Sequence, residues 1–290
     1  MATVARAGSA RDSALEIRAT RDRELLGEFL ETDRLFAAYA ICDLDEREFG
    51  RTRWGVALDS GRPVAVALEY TGLSPQPLFV MGDKDGVSAV LRDVIRPRAA
   101  YLASSSSGLE AVDHVYRVEP GPAMVRMAVD RASFRPAAGA PTRLVAADVG
   151  ELNKLYDLGL TSWLPSESVA NGVYYGIRVG GHLVAAAGTH VVSREMGLAA
   201  VGNVLTQRDF RGRGYAKSVT GAVTAELLRF CEQVVLNVRS DNPPALAAYS
   251  ALGYREHTRF EERLVHRRGT LWDSIIEPFR RFIPPSRRSE

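Results

Sequence analysis

The segment GNVLTQRDFRGRGYAK, residues 202–217, organises the reading of this 290-residue sequence. An apolar β-prone run containing Val204, Leu205 and Thr206 enters a turn dense in glycine and arginine, and a helical pattern follows. Gly212 and Gly214 carry no Cβ that would hold an anion off the main chain, and the first N–H groups of the next helix have no partner within it. The helix dipole favours negative charge there, and Arg211, Arg213 and Lys217 add charge-assisted donors. The segment therefore reads as a phosphate site. No Lys-Ser/Thr pair follows a four-residue gap and no G-x-G-x-x-G run is present, which tells against P-loop and dinucleotide-binding alternatives.

The next block, LNVRSDNPPALAAYSALGYRE (residues 236–256), reads as a strand followed by a helix. Asn242 is expected to cap that helix, with Pro243 at the first helical position, where its missing N–H costs little. Tyr249 lies seven residues on, about 10 Å along the axis and on nearly the same face. Arg211-Gly212-Arg213-Gly214-Tyr215-Ala216 satisfies the signature Gln/Arg-x-x-Gly-x-Gly/Ala, and with the second block it resembles the GNAT superfamily of acyl-CoA-dependent N-acyltransferases over residues 142–265. Asn242, Ala245, Tyr249 and Leu252-Gly253-Tyr254 fall at that family's mutual spacings, and the glycine N-acyltransferase-like branch is also similar.

The resemblance implies a mechanism. The pantetheine arm of acetyl-CoA or another acyl-CoA would pair with the main chain of Val204, Leu205 and Thr206. The amides of Arg211, Gly212, Arg213, Gly214, Tyr215 and Ala216, with Lys217, would hold the pyrophosphate, and Asn242 would either contact the coenzyme or serve as a cap alone. An acceptor amine would attack the thioester directly in a ternary complex, and the N–H of Val204 or Leu205 would stabilise the oxyanion. Tyr249, a phenol of reference pKa about 10, would donate a proton to the leaving thiolate. No general base transfers, because Asn203 stands where several family members place a carboxylate. Glu167, Glu195 and His190 read as solvated loop or strand residues, and Trp163, Tyr174 and Tyr175 as pocket lining or core.

Outward from this block the chain repeats itself. WGVALDSGRPVAVALEY (residues 54–70) reads as a hairpin about Asp59-Ser60-Gly61, and YGIRVGGHLVAAAG (residues 175–188) has the same layout about Gly180-Gly181. Strand–turn–helix and strand–helix segments follow both, and RVEPGPAMVRMAV and REHTRFEERLV are expected to close their respective halves. The expected fold class is α/β, two GNAT-like mixed-sheet units with the acyl-CoA site in the second. The boundaries are a mobile N-terminus over 1–20, a degenerate unit over 21–135, a catalytic unit over 140–266, and a C-terminal helix and basic tail over 267–290. Residues 135–139 form the linker. Leu144 and Val145 should open the second unit as a strand, with Asp148 capping a helix through Leu158. The first half's corresponding turn carries Asp83 and Asp85, which would repel a pyrophosphate; its role is architectural, as one wall of the acceptor cleft or a cover for the second sheet's edge. Residues 104–107 read as a polar loop.

Composition narrows the partners. With 37 basic and 35 acidic residues the net charge is +2, so neither nucleic acid nor a membrane surface is expected as a partner. No uninterrupted apolar run approaches the roughly 18 residues that would span a bilayer. Cys42 and Cys231 are too few for a disulfide framework and too isolated for zinc, so buried thiols, no metal and a cytoplasmic location are expected. The acceptor would be a small-molecule amine or a protein N-terminus or lysine, and the protein a monomer or homodimer. The rival classes are a non-catalytic acyl-CoA sensor and a nucleic-acid binder using RGRG and the tail, the latter opposed by the near-neutral charge and the lack of interleaved aromatic residues.

Overall fold

A computed structural model describes residues 15–156 and 164–269 of the chain. Trp163, Leu158, residues 1–14 and the tail helix expected beyond 270 lie outside the described residues. Alternating apolar positions build thirteen strands, which pair into one continuous sheet among the described residues. In the first half, β1 (Glu16–Thr20) precedes three helices, α1 (Arg23–Leu30), α2 (Ala38–Cys42) and α3 (Glu46–Phe49). Then come β2 (Thr52–Asp59), β3 (Arg62–Tyr70), β4 (Gln76–Gly82), α4 (Lys84–Asp93), β5 (Ala99–Ser104), α5 (Ser106–Asp113), β6 (Tyr116–Val118) and β7 (Ala123–Asp130). The second half comprises β8 (Thr142–Arg143), α6 (Val149–Tyr156), α7 (Ser166–Asn171), β9 (Tyr175–Val179), β10 (His182–Ser193), β11 (Leu198–Thr206), α8 (Tyr215–Leu227), β12 (Gln233–Arg239), α9 (Pro243–Ala251) and β13 (Arg255–Arg267).

Both expected hairpins form. Ser60 and Gly61 sit at φ 52° and 80°, and Gly180 and Gly181 at φ 58° and 82°, the left-handed pairs that a two-residue turn between twisted strands requires. The expectation that each half closes itself is corrected by the strand order, β1-β2-β3-β4-β5-β13-β7-β12-β11-β10-β9-β8. The closing strand of each half lies against the parallel pair of the other. β7 runs antiparallel to β12 from Asp130↔Gln233 to Met124↔Arg239, and β13 pairs with β5 from Glu261↔Ser104 to His266↔Ala99. The halves are therefore interlocked across the 135–139 linker. Apolar residues on the two closing strands fit either sheet equally well, so alternation alone carries no information about which partner they take.

Three local expectations also change. Glu16–Thr20, inside the segment expected to be mobile, forms an edge strand paired with β2. The second half opens on Thr142–Arg143, while the carboxylate of Asp148 accepts from the Val145 N–H at 2.8 Å and from Arg178 at 2.8 Å instead of capping α6. Within 104–107, Ser105 caps α5 by accepting from the Gly108 N–H at 3.0 Å. As expected, Cys42 and Cys231 are buried free thiols.

Helices cover both faces. α4, α5, α8 and α9 pack on one, and α1–α3 with α6 and α7 on the other. The α1–α3 layer reaches across the exchange: Phe36 packs on Phe79 of β4 at 5.2 Å and on Phe260 of β13 at 6.1 Å between ring centroids. Phe260→Ala is expected to cost about 3–5 kcal/mol. Because β13 belongs to both halves, the urea transition should stay single; two separable transitions would show that the halves fold independently.

Candidate active site

Parallel pairing between β11 and β12 runs only from Leu198↔Gln233 to Val201↔Leu236. Beyond it the strands part, and residues 202–206 present main chain to the gap. Two β-bulges accompany the parting. Between Thr189↔Val201 and Val191↔Ala200 the extra residue is His190; between Gly188↔Gly202 and Ala186↔Leu205 the longer side holds Asn203 and Val204. Asn203 takes φ 51°, a rare non-glycine value. Bulges re-aim side chains, and these two turn His190 and Asn203 toward each other.

The imidazole lies across Gly202, where a Cβ would stand 2.2 Å from Nε2. A hydrogen-bond chain is fixed from its far end. Tyr174 donates its one hydroxyl proton to the Thr189 carbonyl at 3.0 Å, so its oxygen accepts from Asn203 Nδ2 at 3.2 Å. Asn203 Oδ1 then faces His190 Nε2 at 3.3 Å and makes it a donor, leaving Nδ1 to accept from the Tyr39 hydroxyl at 2.9 Å. Tyr156 donates to the Asn203 carbonyl at 2.8 Å. Protein packed around the imidazole, only partly offset by the Asn203 hydrogen bond, lowers the His190 pKa below its ordinary 6.5, although the edge of the ring that meets Tyr39 stays open to solvent.

Tyr39 comes from α2 of the first half. It touches β10 through His190, and its ring lies 5.0 Å from the guanidinium of Arg126 on β7, so it spans the two parting strands between them. On the same face Asn237 Nδ2 donates to Glu262 Oε1 at 2.7 Å. Burial raises the Glu262 pKa, with Arg126 and Asn237 opposing. Asn237 Oδ1 and Arg126 Nε are buried without partners among the described residues.

Past β11 the chain makes a 3₁₀ turn, Arg208–Phe210, then places Gly212 at φ 76° and Gly214 at φ 77°, both with open space where a Cβ would lie. The first bond of α8 is Ser218 N–H to the Gly214 carbonyl at 3.0 Å. The main-chain N–H groups of Gly212, Arg213, Gly214, Tyr215, Ala216 and Lys217 have no partner among the described residues. Arg211 differs: its N–H is already bonded to the Arg208 carbonyl at 3.2 Å, so that amide leaves the expected cradle, and its side chain bonds the Thr206 carbonyl at 3.3 Å. Arg213 reaches the Asp209 carbonyl at 3.3 Å. Thr206 Oγ1 is a buried, unpartnered hydroxyl beside the gap. Unpaired donors, a cradle without Cβ atoms and four nearby cationic side chains (Arg208, Arg211, Arg213, Lys217) fit a diphosphate.

On the opposite face from His190, Tyr249 of α9 packs in the cluster that also holds Val204 and Tyr215, its ring 6.2 Å from Tyr254. Burial pushes its phenol up to about 12, and it makes no hydrogen bond among the described residues. Asn242 caps α9, its side chain accepting from the Ala245 N–H at 3.3 Å.

Residues 174–264 match the family described as FR47-like protein. Among solved structures, a tandem GNAT protein from the clavulanic acid biosynthesis pathway aligns over 89% of this chain and 99% of its own, at 14% identity and TM-score 0.54. The chain has a tandem GNAT fold. A Drosophila protein aligns over 87% of this chain and 98% of its own, at 14% identity and TM-score 0.62. A GCN5-related N-acetyltransferase from Sphaerobacter thermophilus aligns over 88% and 97%, at 16% identity and TM-score 0.58. No curated protein matches the sequence.

The two GNAT-fold units differ at the decisive turn. In the first, Asp83 alone joins β4 to α4, and its carboxylate takes the N–H groups of Asp85 and Gly86 at 2.9 and 3.1 Å. A Cβ on Gly82 would meet the Val64 carbonyl at 2.2 Å, so no cradle exists there. Of the side chains weighed as bases, Glu167 and Glu195 are exposed, Glu195 pairing with Arg23 of α1 at 3.5 Å, while His190 meets Asn203 beside the gap. Tyr174 orients Asn203; Tyr175 faces the other way, donating to Glu226 of α8 at 2.8 Å. Tyr39, Arg126, Asn237 and Glu262 carried no sequence signal, because strand exchange and the α2 crossing bring them together.

Proposed function

We propose that the protein moves an acetyl or other short acyl group from acyl-CoA to an amine by direct attack within a ternary complex. The observation that carries this reading is the row of unpaired N–H groups from Gly212 to Lys217, set beside strands that part after Val201 and Leu236. The acyl-CoA substrate supplies an activated thioester, and the protein positions it. The donors at 212–217 would hold the diphosphate, and the edge of β11 that faces the gap at Val204, Leu205 and Thr206 would align the pantetheine arm. A Val204 or Leu205 N–H at the bulge would meet the developing oxyanion. Tyr249, approaching from the α9 face, would return a proton to the leaving thiolate. The acceptor would enter from the α2 face, so the reactants meet through the gap.

In a free-thiol assay with acetyl-CoA and a panel of amines, a small-molecule amine or a peptide N-terminus or lysine should release CoA. Tight acyl-CoA binding with no thiol release on any acceptor would replace this reading with that of a binding protein.

A further inference from the structure

We propose that Tyr39 and His190 form the proton relay that takes the acceptor amine's proton, so that the first half supplies a catalytic group to the second. The inference rests on the acyltransferase reading and goes beyond it by naming a base that no motif supplied. The directional chain from Tyr39 through His190 and Asn203 to Tyr174 and the Thr189 carbonyl leaves one bare nitrogen, Nδ1, and among the described residues only the Tyr39 hydroxyl reaches it. That hydroxyl keeps acceptor capacity on its oxygen while donating to Nδ1, and the contact is open to solvent at the parting of β11 and β12.

An acceptor that arrives as an ammonium first loses one proton to solvent. As the neutral amine nitrogen bonds to the thioester carbon, the carbonyl π pair moves to oxygen. An amine proton passes to Tyr39 Oη while the Tyr39 proton moves to His190 Nδ1, giving an imidazolium. Collapse expels the thiolate, which takes its proton from Tyr249, and the imidazolium proton returns to Tyr249 through solvent.

The groups facing the relay are consistent with these roles. Around His190 stand Tyr39 from α2, Asn203 from β11 and Tyr174 before β9. Tyr39 in turn faces Arg126 of β7, Glu262 of β13 and Cys42 of its own helix. Burial holds Tyr39 protonated, so it passes a proton instead of storing one, while the lowered His190 pKa keeps the imidazole neutral and receptive at physiological pH.

The test uses the full chain. At saturating amine, kcat of the native protein should show an inflection below pH 6.5. His190→Gln and Tyr39→Phe should each lower kcat by about a hundredfold and abolish that inflection, with acyl-CoA affinity by calorimetry unchanged. Native rates, or a retained inflection, in either variant would overturn the relay while leaving the acyltransferase reading intact; no thiol release from the native chain with any amine would overturn both. Nitrogen-15 NMR of the native protein, with His190 assigned among the 5 histidines by through-bond correlation to its own backbone, reads the tautomer without substitution. Nε2 protonated and Nδ1 bare is expected; the reverse would overturn the proposal even if a variant failed to fold.

Discussion

Gly214→Val should abolish acyl-CoA binding, lowering affinity at least about a hundredfold in calorimetry, or about 2.7 kcal/mol. Two effects add. A β-branched residue is strained at φ 77°, at a cost of roughly 1–2 kcal/mol for a left-handed residue, and its side chain would occupy the space beside the unpaired N–H groups. The fold itself has nothing within 4 Å of the added Cβ, so the protein should remain folded, with its melting temperature down by only a few degrees. Binding and folding are thereby separated. Affinity equal to that of the native chain would remove the diphosphate from this turn.

Tyr249→Phe should do the opposite, keeping acyl-CoA affinity within about twofold while kcat falls by about 10²–10⁴. The hydroxyl has no hydrogen-bond partner among the described residues, so its removal strands no other group and leaves the α9 packing against Tyr254 in place. With the phenol pushed up to about 12, it stays protonated and able to donate through the neutral range. Falling pH therefore cannot switch this group off, and an acidic loss of rate must come from elsewhere: from protonation of the acceptor amine and, below pH 6.5, from His190 in the relay proposed above. Unchanged kcat in the variant would take Tyr249 out of the mechanism.

Much of the architecture was legible because local chemistry announced it. Ser60-Gly61 and Gly180-Gly181 marked matching hairpins, and Gly212 with Gly214 marked the left-handed turn before α8. Asn242 followed by Pro243 marked the start of α9. What escaped was long-range. Nothing in Met124 or Phe260 tells which sheet they will join, since either partner strand buries the same face. Nothing near Tyr39 announces His190, because their meeting depends on an extra residue in β10 and on α2 crossing to the second half. Arg211 escaped for a smaller reason: a 3₁₀ turn consumes its amide before the cradle begins.

The exchanged strands also set an order of events during synthesis. As the chain leaves the ribosome, β5 waits with a bare edge until Arg255–Arg267, the last of the described strands, has been made. The nascent first half is thus an unfinished sheet until residues 255–267 have been made, exposed to mispairing with neighbouring nascent chains on a polysome.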